Sequence, residues 1–274
     1  MNRANRGEVK MNLFDSETTI LSFFRDGFKE EETAIFPCDG ELPVLLEQIT
    51  QVSQWEKWVN SSGKADPPPD FYCDEFSLMM EVMRVDDHAH KNHKGKVINP
   101  MNARESELYK ELQEKGILER FPHAQVFCTP VTNLATKDDH NYTFYVMNFV
   151  RTVEEHKRKI KQYRENHPKS KLIFFIIDES SAYLQGTNPS NISEPVFAGC
   201  PMQGMPHQYW ADETFIKAII NSNIDYLIWY TPFKYIQLQV EGILPLPMTC
   251  AFDIKRMSIQ TQKYDPDLMV SSEV

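Results

Sequence analysis

Phe76-Ser77-Leu78-Met79-Met80-Glu81-Val82-Met83-Arg84-Val85, with Pro69-Asp70-Phe71 shortly before it, decides how this chain is read. The run is short, dominated by large apolar side chains and interrupted by single charges, which is the pattern of a buried strand. Side chains along a strand alternate between its two faces. Met79, Glu81, Met83 and Val85 therefore share one face, and Leu78, Met80, Val82 and Arg84 the other. Glu81 is a carboxylate whose neighbours are suited to burial. A buried charge is costly unless it is paired or bound to a metal, so Glu81 reads either as a salt-bridged residue or as a ligand. Asp70 follows Pro69 in an extended stretch and reads either as a turn residue or as a second ligand.

Working outward, Lys171-Leu172-Ile173-Phe174-Phe175-Ile176-Ile177 is the clearest core strand, and Asp178-Glu179 at its end reads as a cap or turn. From Glu41 to Val59, Leu42, Leu45, Leu46, Ile49, Val52, Trp55 and Trp58 recur at steps of three and four, which predicts an amphipathic helix with Asp39 as its N-cap. Helices are also expected over Ala103–Leu118, Val153–Asn166 and Asp212–Asn221, and strands over Gln125–Pro130, Tyr142–Val150 and Tyr226–Tyr230. Residues 180–210 read as a long loop, and the chain beyond Pro245 has little period, with its last ten residues expected to be disordered. This order predicts an α/β fold, a mixed central sheet flanked by helices. The expected division is an N-terminal extension (1–40), an α/β domain (41–232) with insertions at 86–120 and 180–210, and a C-terminal extension (233–274).

Pro69-Asp70, a spacer and then Glu81-Val82-Met83 resembles the signature of the PD-(D/E)xK nuclease superfamily. The close resemblance covers about residues 41–83, and the match of element order to the family's α-β-β-β-α-β, restriction-endonuclease-like core extends to Ile177. The resemblance implies a metal-dependent nuclease that cleaves or binds DNA phosphodiesters. Asp70 and Glu81 would hold Mg²⁺ or Mn²⁺ with the carbonyl of Val82, and Glu47 would add a carboxylate from the preceding helix. The chain departs from the family at Met83, where the family has its catalytic lysine. Lys157 or Lys161 is expected to supply that cation. The alternative is a catalytically degenerate module that binds nucleic acid or protein.

The chain has 274 residues, 41% of them hydrophobic, enough for one large domain or two small ones. A formal net charge of -10 argues against a protein that coats nucleic acid, because phosphate binding rests on Lys and Arg. A local basic face remains: Lys157, Arg158, Lys159, Lys161, Arg164, Lys169 and Lys171 cluster on the stretch 156–171, the expected DNA contact if it is not simply a solubilising surface. The five cysteines are scattered and form no Cys-x-x-Cys pair, which suits free thiols and a cytoplasmic location. No apolar run is long enough to span a bilayer, and the first residues lack the apolar segment of a signal peptide. His88, His90 and His93, with Asp86 or Asp87, carry a third reading, a His-loop metalloenzyme, set against a hydrophilic loop that contains histidines by chance. No Walker loop, dinucleotide fingerprint or serine nucleophile elbow occurs.

Overall fold

A computed structural model describes residues 16–61, 69–88, 90–91, 94–120, 140–186, 204–234, 236–238, 242–244 and 246–272. The chain opens with α1 (Glu17–Gly27), β1 (Thr33–Phe36), α2 (Leu42–Thr50) and α3 (Val52–Trp55). β2 (Val59–Asn60), β3 (Phe71–Cys73), β4 (Leu78–Val85), β5 (His90–Lys91) and β6 (Val97–Ile98) follow. Next come α4 (Pro100–Glu114), α5 (Ile117–Arg120), α6 (Tyr142–Lys157), α7 (Ile160–Asn166) and β7 (Lys171–Asp178). The remainder is β8 (Tyr183–Gln185), β9 (Met205–Pro206), α8 (Glu213–Ile220), β10 (Tyr226–Tyr230), β11 (Ile236–Leu238), β12 (Gly242–Leu244), β13 (Thr249–Asp253) and β14 (Met269–Ser271).

Seven strands form one mixed sheet in the order β1-β13-β10-β7-β4-β3-β2. β7 lies at its centre because every residue from Leu172 to Asp178 is buried, and a strand apolar on both sides needs cover on both faces. β4 and β10 flank β7 in parallel, β3 is antiparallel to β4, and β2 is antiparallel to β3. One face packs on Ile20, Leu21 and Phe24 of α1 and on Leu42, Leu45, Leu46 and Ile49 of α2. The other packs on Tyr142, Tyr145, Phe149 and Val153 of α6, Ile160 and Tyr163 of α7, and Phe215, Ile216 and Ile219 of α8. The fold is thus mixed α/β, a seven-stranded sheet flanked by helices.

Several expectations need correction. Tyr142–Val150 is not a strand but the start of α6. Its buried residues Tyr142, Tyr145, Phe149 and Val153 recur at helical steps, and Asn141 caps it by accepting from the amides of Thr143 and Phe144 at 2.9 and 3.2 Å. The parallel pair β4 and β7 also requires a crossover connection between them, and a helix is its usual form. The expected helix over 41–59 ends at Thr50, because Gln51 is extended, and resumes briefly as α3. Asp39 does not cap α2; its carboxylate pairs with Arg256 at 3.3 Å. The expected strand at 125–130 lies outside the described residues. β1 and β13, from the two segments read as extensions, are both members of the central sheet, and β14, within the last ten residues, pairs with β8. No helix among the described residues is long and apolar enough to cross a membrane.

Candidate functional site

β3 pairs with β4 so that Phe71 faces Met80, and the same register sets Asp70 opposite Glu81. Glu81 is 4% exposed and lies on the helix α6–α7 face. Its Oε1 accepts from the Tyr163 hydroxyl at 2.6 Å and faces His156 Nδ1 at 2.6 Å and Lys159 Nζ at 3.7 Å. An ionised carboxylate only accepts, so His156 carries the proton of that contact. The amide of Val82 donates to Asp70 Oδ2 at 2.8 Å. Among the described residues no hydrogen bond reaches Asp70 Oδ1 or Glu81 Oε2.

Burial, and next the charge of Glu81, push the Asp70 carboxyl up to about 7, with Glu17 adding to the rise and the Val82 amide and Lys159 opposing it. Folded Asp70 therefore keeps its proton to about pH 7, whereas an unfolded aspartate loses it near pH 4. Between those values the folded state binds the extra proton, so stability falls as pH rises through the window. Asp70→Asn removes the titration. The variant is expected to melt about 3 °C above wild type at roughly pH 8, with the difference vanishing towards pH 4. Thermal melts across that range check it, and parallel curves for the two proteins would refute the buried-carboxylate account.

Of the residues singled out in the sequence, Asp70 and Glu81 are brought together. Val82 contributes its amide to Asp70, and its side chain is buried on the opposite face. Glu47 is not part of this group: it is exposed on α2, whose buried side packs on the face of the sheet that Glu81 does not occupy. The helix acid that acts on Asp70 is Glu17, in the first turn of α1. Lys157 and Lys161 are not at the carboxylates either. They pair along the helix surface with Glu154 at 3.0 Å and Glu165 at 3.8 Å. The basic stretch is not one straight helix but α6 and α7 joined at Arg158 and Lys159, and that break turns Lys159, rather than its neighbours, towards Glu81. The basic cluster is partly neutralised: Arg164 pairs with Asp225 at 3.1 Å, and Lys171 pairs with Glu41. Lys157, Lys161 and Arg164 line an open groove of about 570 Å³ with Ser222 and Asn223, and neither Asp70 nor Glu81 is in its lining. His156, Lys159 and Tyr163 are site residues that the sequence reading does not single out, because the break at Arg158 and Lys159 sets their common direction.

A second polar group lies where β4 ends. Asp87 is fully buried, and its Oδ2 accepts from Tyr183 Oη at 2.6 Å, Ser181 Oγ at 2.9 Å and the Ser181 amide at 3.1 Å. Its Oδ1 faces His140 Nδ1 at 3.3 Å and His88 Nε2 at 3.5 Å. Burial pushes the Asp87 carboxyl up, but the contact with His140, the charges of His88 and His140 and the Tyr183 hydroxyl outweigh it and hold the group well below the usual carboxylate range. Asp86 plays a different part: it accepts from the His88 amide, Asn148 and Asn99, fixing the loop. His90 is described only through its backbone in β5, and His93 lies outside the described residues.

Comparison with known proteins gives no match, whether to a family, to a curated protein or to a solved structure.

Proposed function

We propose that the Asp70–Glu81 group is the centre of a metal-dependent nuclease of the PD-(D/E)xK kind, acting on DNA phosphodiesters. The observation that carries this reading is the facing pair of carboxylates on adjacent strands, one of them pushed up to about 7 by burial and by the charge of the other. With β5, β6, α4 and α5 taken as an insertion, the order α2–α3, β2, β3, β4, α6–α7, β7, an antiparallel meander followed by a parallel crossover, supports a restriction-endonuclease-like core. The donor set suits Mg²⁺ or Mn²⁺, which are hard cations that prefer carboxylate oxygen. Asp70 Oδ1 and Glu81 Oε2 are the oxygens outside the hydrogen bonds described above and would hold it. Held there, the cation would supply Lewis-acid polarisation of a phosphate and a lowered pKa for an attacking water.

The chain's own residues supply the rest. Tyr163 and His156 fix the Glu81 carboxylate, so that one oxygen points away from them. Lys159 takes the role expected of the strand lysine, offsetting negative charge as it develops on the phosphate. Lys157, Lys161 and Arg164, which line a groove with Ser222 and Asn223, would offer contacts to phosphates further along the backbone.

The test is plasmid cleavage in Mn²⁺ by wild type and Glu81→Gln. Glutamine keeps one oxygen for Tyr163 but loses the charge, and cleavage is expected to fall about a hundredfold or more. Mn²⁺-dependent cleavage by both proteins at equal rates would sink the reading. Binding of DNA with no cleavage by either would favour the degenerate module.

A further inference from the structure

Asp87, His88 and His140 come from two distant parts of the chain, and among the described residues they are the group whose ligand atoms converge, all lying within 4.8 Å of one another. Asp87 sits just beyond the last residue of β4, and His140 immediately before the N-cap of α6. The Asn141 amide donates to the Asp87 carbonyl at 3.3 Å and ties the two together. The carboxylate is divided in function. Oδ2 is held by three donors from Ser181 and Tyr183, which fixes its plane. Oδ1 is turned outward to two imidazole nitrogens.

The spacing of those nitrogens is informative. A charge-assisted N–H···O bond closes to about 2.7–2.9 Å, and elsewhere in this protein His156 and His207 reach carboxylates at 2.6 and 2.8 Å. Around Asp87 the contacts stand at 3.3 and 3.5 Å, although all three side chains are largely shielded. Two ligand atoms bound to one tetrahedral ion at about 2.0–2.1 Å stand roughly 3.3–3.4 Å apart. The two separations from Asp87 Oδ1 match edges of that tetrahedron, and all three ligand atoms lie within 4.8 Å of one another. The carboxylate also has the hydrogen-bonded outer partners, here Tyr183 and Ser181, that orient ligands in metal centres.

We infer that Asp87, His88 and His140 bind a zinc-class transition-metal ion, through one carboxylate oxygen, His88 Nε2 and His140 Nδ1. Imidazole with one carboxylate selects this class over Mg²⁺ or Ca²⁺, which prefer oxygen alone. Three protein ligands leave a fourth position for water or another small ligand. The ion would tie the end of β4 to the start of α6 and, through Ser181 and Tyr183, to β8. This site is separate from Asp70 and Glu81 and stands whether or not the protein cuts DNA.

The experiment is a titration of the full chain, stripped with a chelator, with Co²⁺ and then Zn²⁺, reading visible absorption and melting temperature. Wild type is expected to take up one equivalent of Co²⁺ with the intense absorption of a four-coordinate ion. Zn²⁺ should displace it and raise the melting temperature. Asp70→Asn and Glu81→Gln are expected to keep the intense four-coordinate band of wild type, whatever Co²⁺ they lose at the carboxylate pair. His140→Ala should weaken binding by about a hundredfold or more. If His140→Ala loses the far-ultraviolet dichroism of the folded chain, His140→Gln and His88→Gln take its place. Absence of the band in wild type, or wild-type affinity in a folded His140 or His88 variant, overturns the inference.

Discussion

Asp178→Ala is expected to destabilise this protein by about 5 kcal/mol and to lower its melting temperature by roughly 10 °C or more. Asp178 ends the central strand β7 and is fully buried. Its Oδ1 accepts from the amide and hydroxyl of Ser180 at 3.0 and 2.6 Å, the turn role read from the sequence. Its Oδ2 does more, accepting from Tyr145 Oη at 2.5 Å and Trp229 Nε1 at 2.9 Å, with Lys234 Nζ at 3.5 Å. These donors belong to α6, β10 and the segment after β10, so one carboxylate organises three elements. Each buried donor left without an acceptor costs about 1–3 kcal/mol, and a buried cation deprived of its counter-charge about 3–5 kcal/mol. The terms do not add in full, because the groups are neighbours that relax together. Asp178→Asn keeps an acceptor but not the charge, and its melting temperature should fall between those of wild type and the alanine variant. Differential scanning calorimetry of the three proteins checks this. An alanine variant that melts within a degree or two of wild type would show that the carboxylate is not what joins these elements.

Met83→Lys is expected to lower stability by about 4 kcal/mol without raising Mn²⁺-dependent cleavage. Met83 is 2% exposed within the cluster that includes Met79, Val85 and Tyr145. An ammonium placed there must lose its hydration, find a carboxylate or give up its proton. Its nearest acid along the strand face is Glu81, whose Oε1 already faces Tyr163, His156 and Lys159. Lys159 reaches that carboxylate from solvent, with 52% of its side chain exposed, and so brings a positive charge at no cost in burial. Lys159→Met should therefore cut cleavage about tenfold with little change in melting temperature. Melting and plasmid cleavage by the two variants separate the roles. A Met83→Lys protein as stable as wild type and more active would return the work to the strand position.

The parts of the fold legible in the sequence were those set by local pattern. β7 and β10 are apolar runs with charges only at the ends of β7, and β4 is one interrupted by Glu81 and Arg84; short segments buried to this extent suit strands. α6 was misread because Tyr142-Thr143-Phe144-Tyr145-Val146 is rich in aromatic and β-branched residues, which favour strands. The competing signals, the Asn141 cap and the helical step from Tyr142 to Val153, are spread over more residues. β13 was missed because Thr249-Cys250-Ala251-Phe252-Asp253 mixes small and polar residues, yet each is buried once the strand lies between β1 and β10. In the candidate site, strand alternation marks Glu81 as a charge on a buried face, and the resemblance to the PD-(D/E)xK signature is what joins it to Asp70. It could not find Lys159, whose direction depends on the break between α6 and α7, nor His140, which packing alone carries to His88.

The place of β13 bears on how the molecule is made. It pairs with β10 on one side and β1 on the other, so strands near both ends of the sequence meet through it. During synthesis β1 has no partner until residues 249–253 leave the ribosome. Until then Tyr226–Tyr230, all buried in the finished sheet, forms a bare apolar edge. Such an edge templates pairing with other chains, and contacts this far apart in sequence form slowly. A nascent chain paused in the linker before Thr249 is thus at its most aggregation-prone, which makes β13, the last strand of the central sheet to emerge, the one that covers the β10 edge.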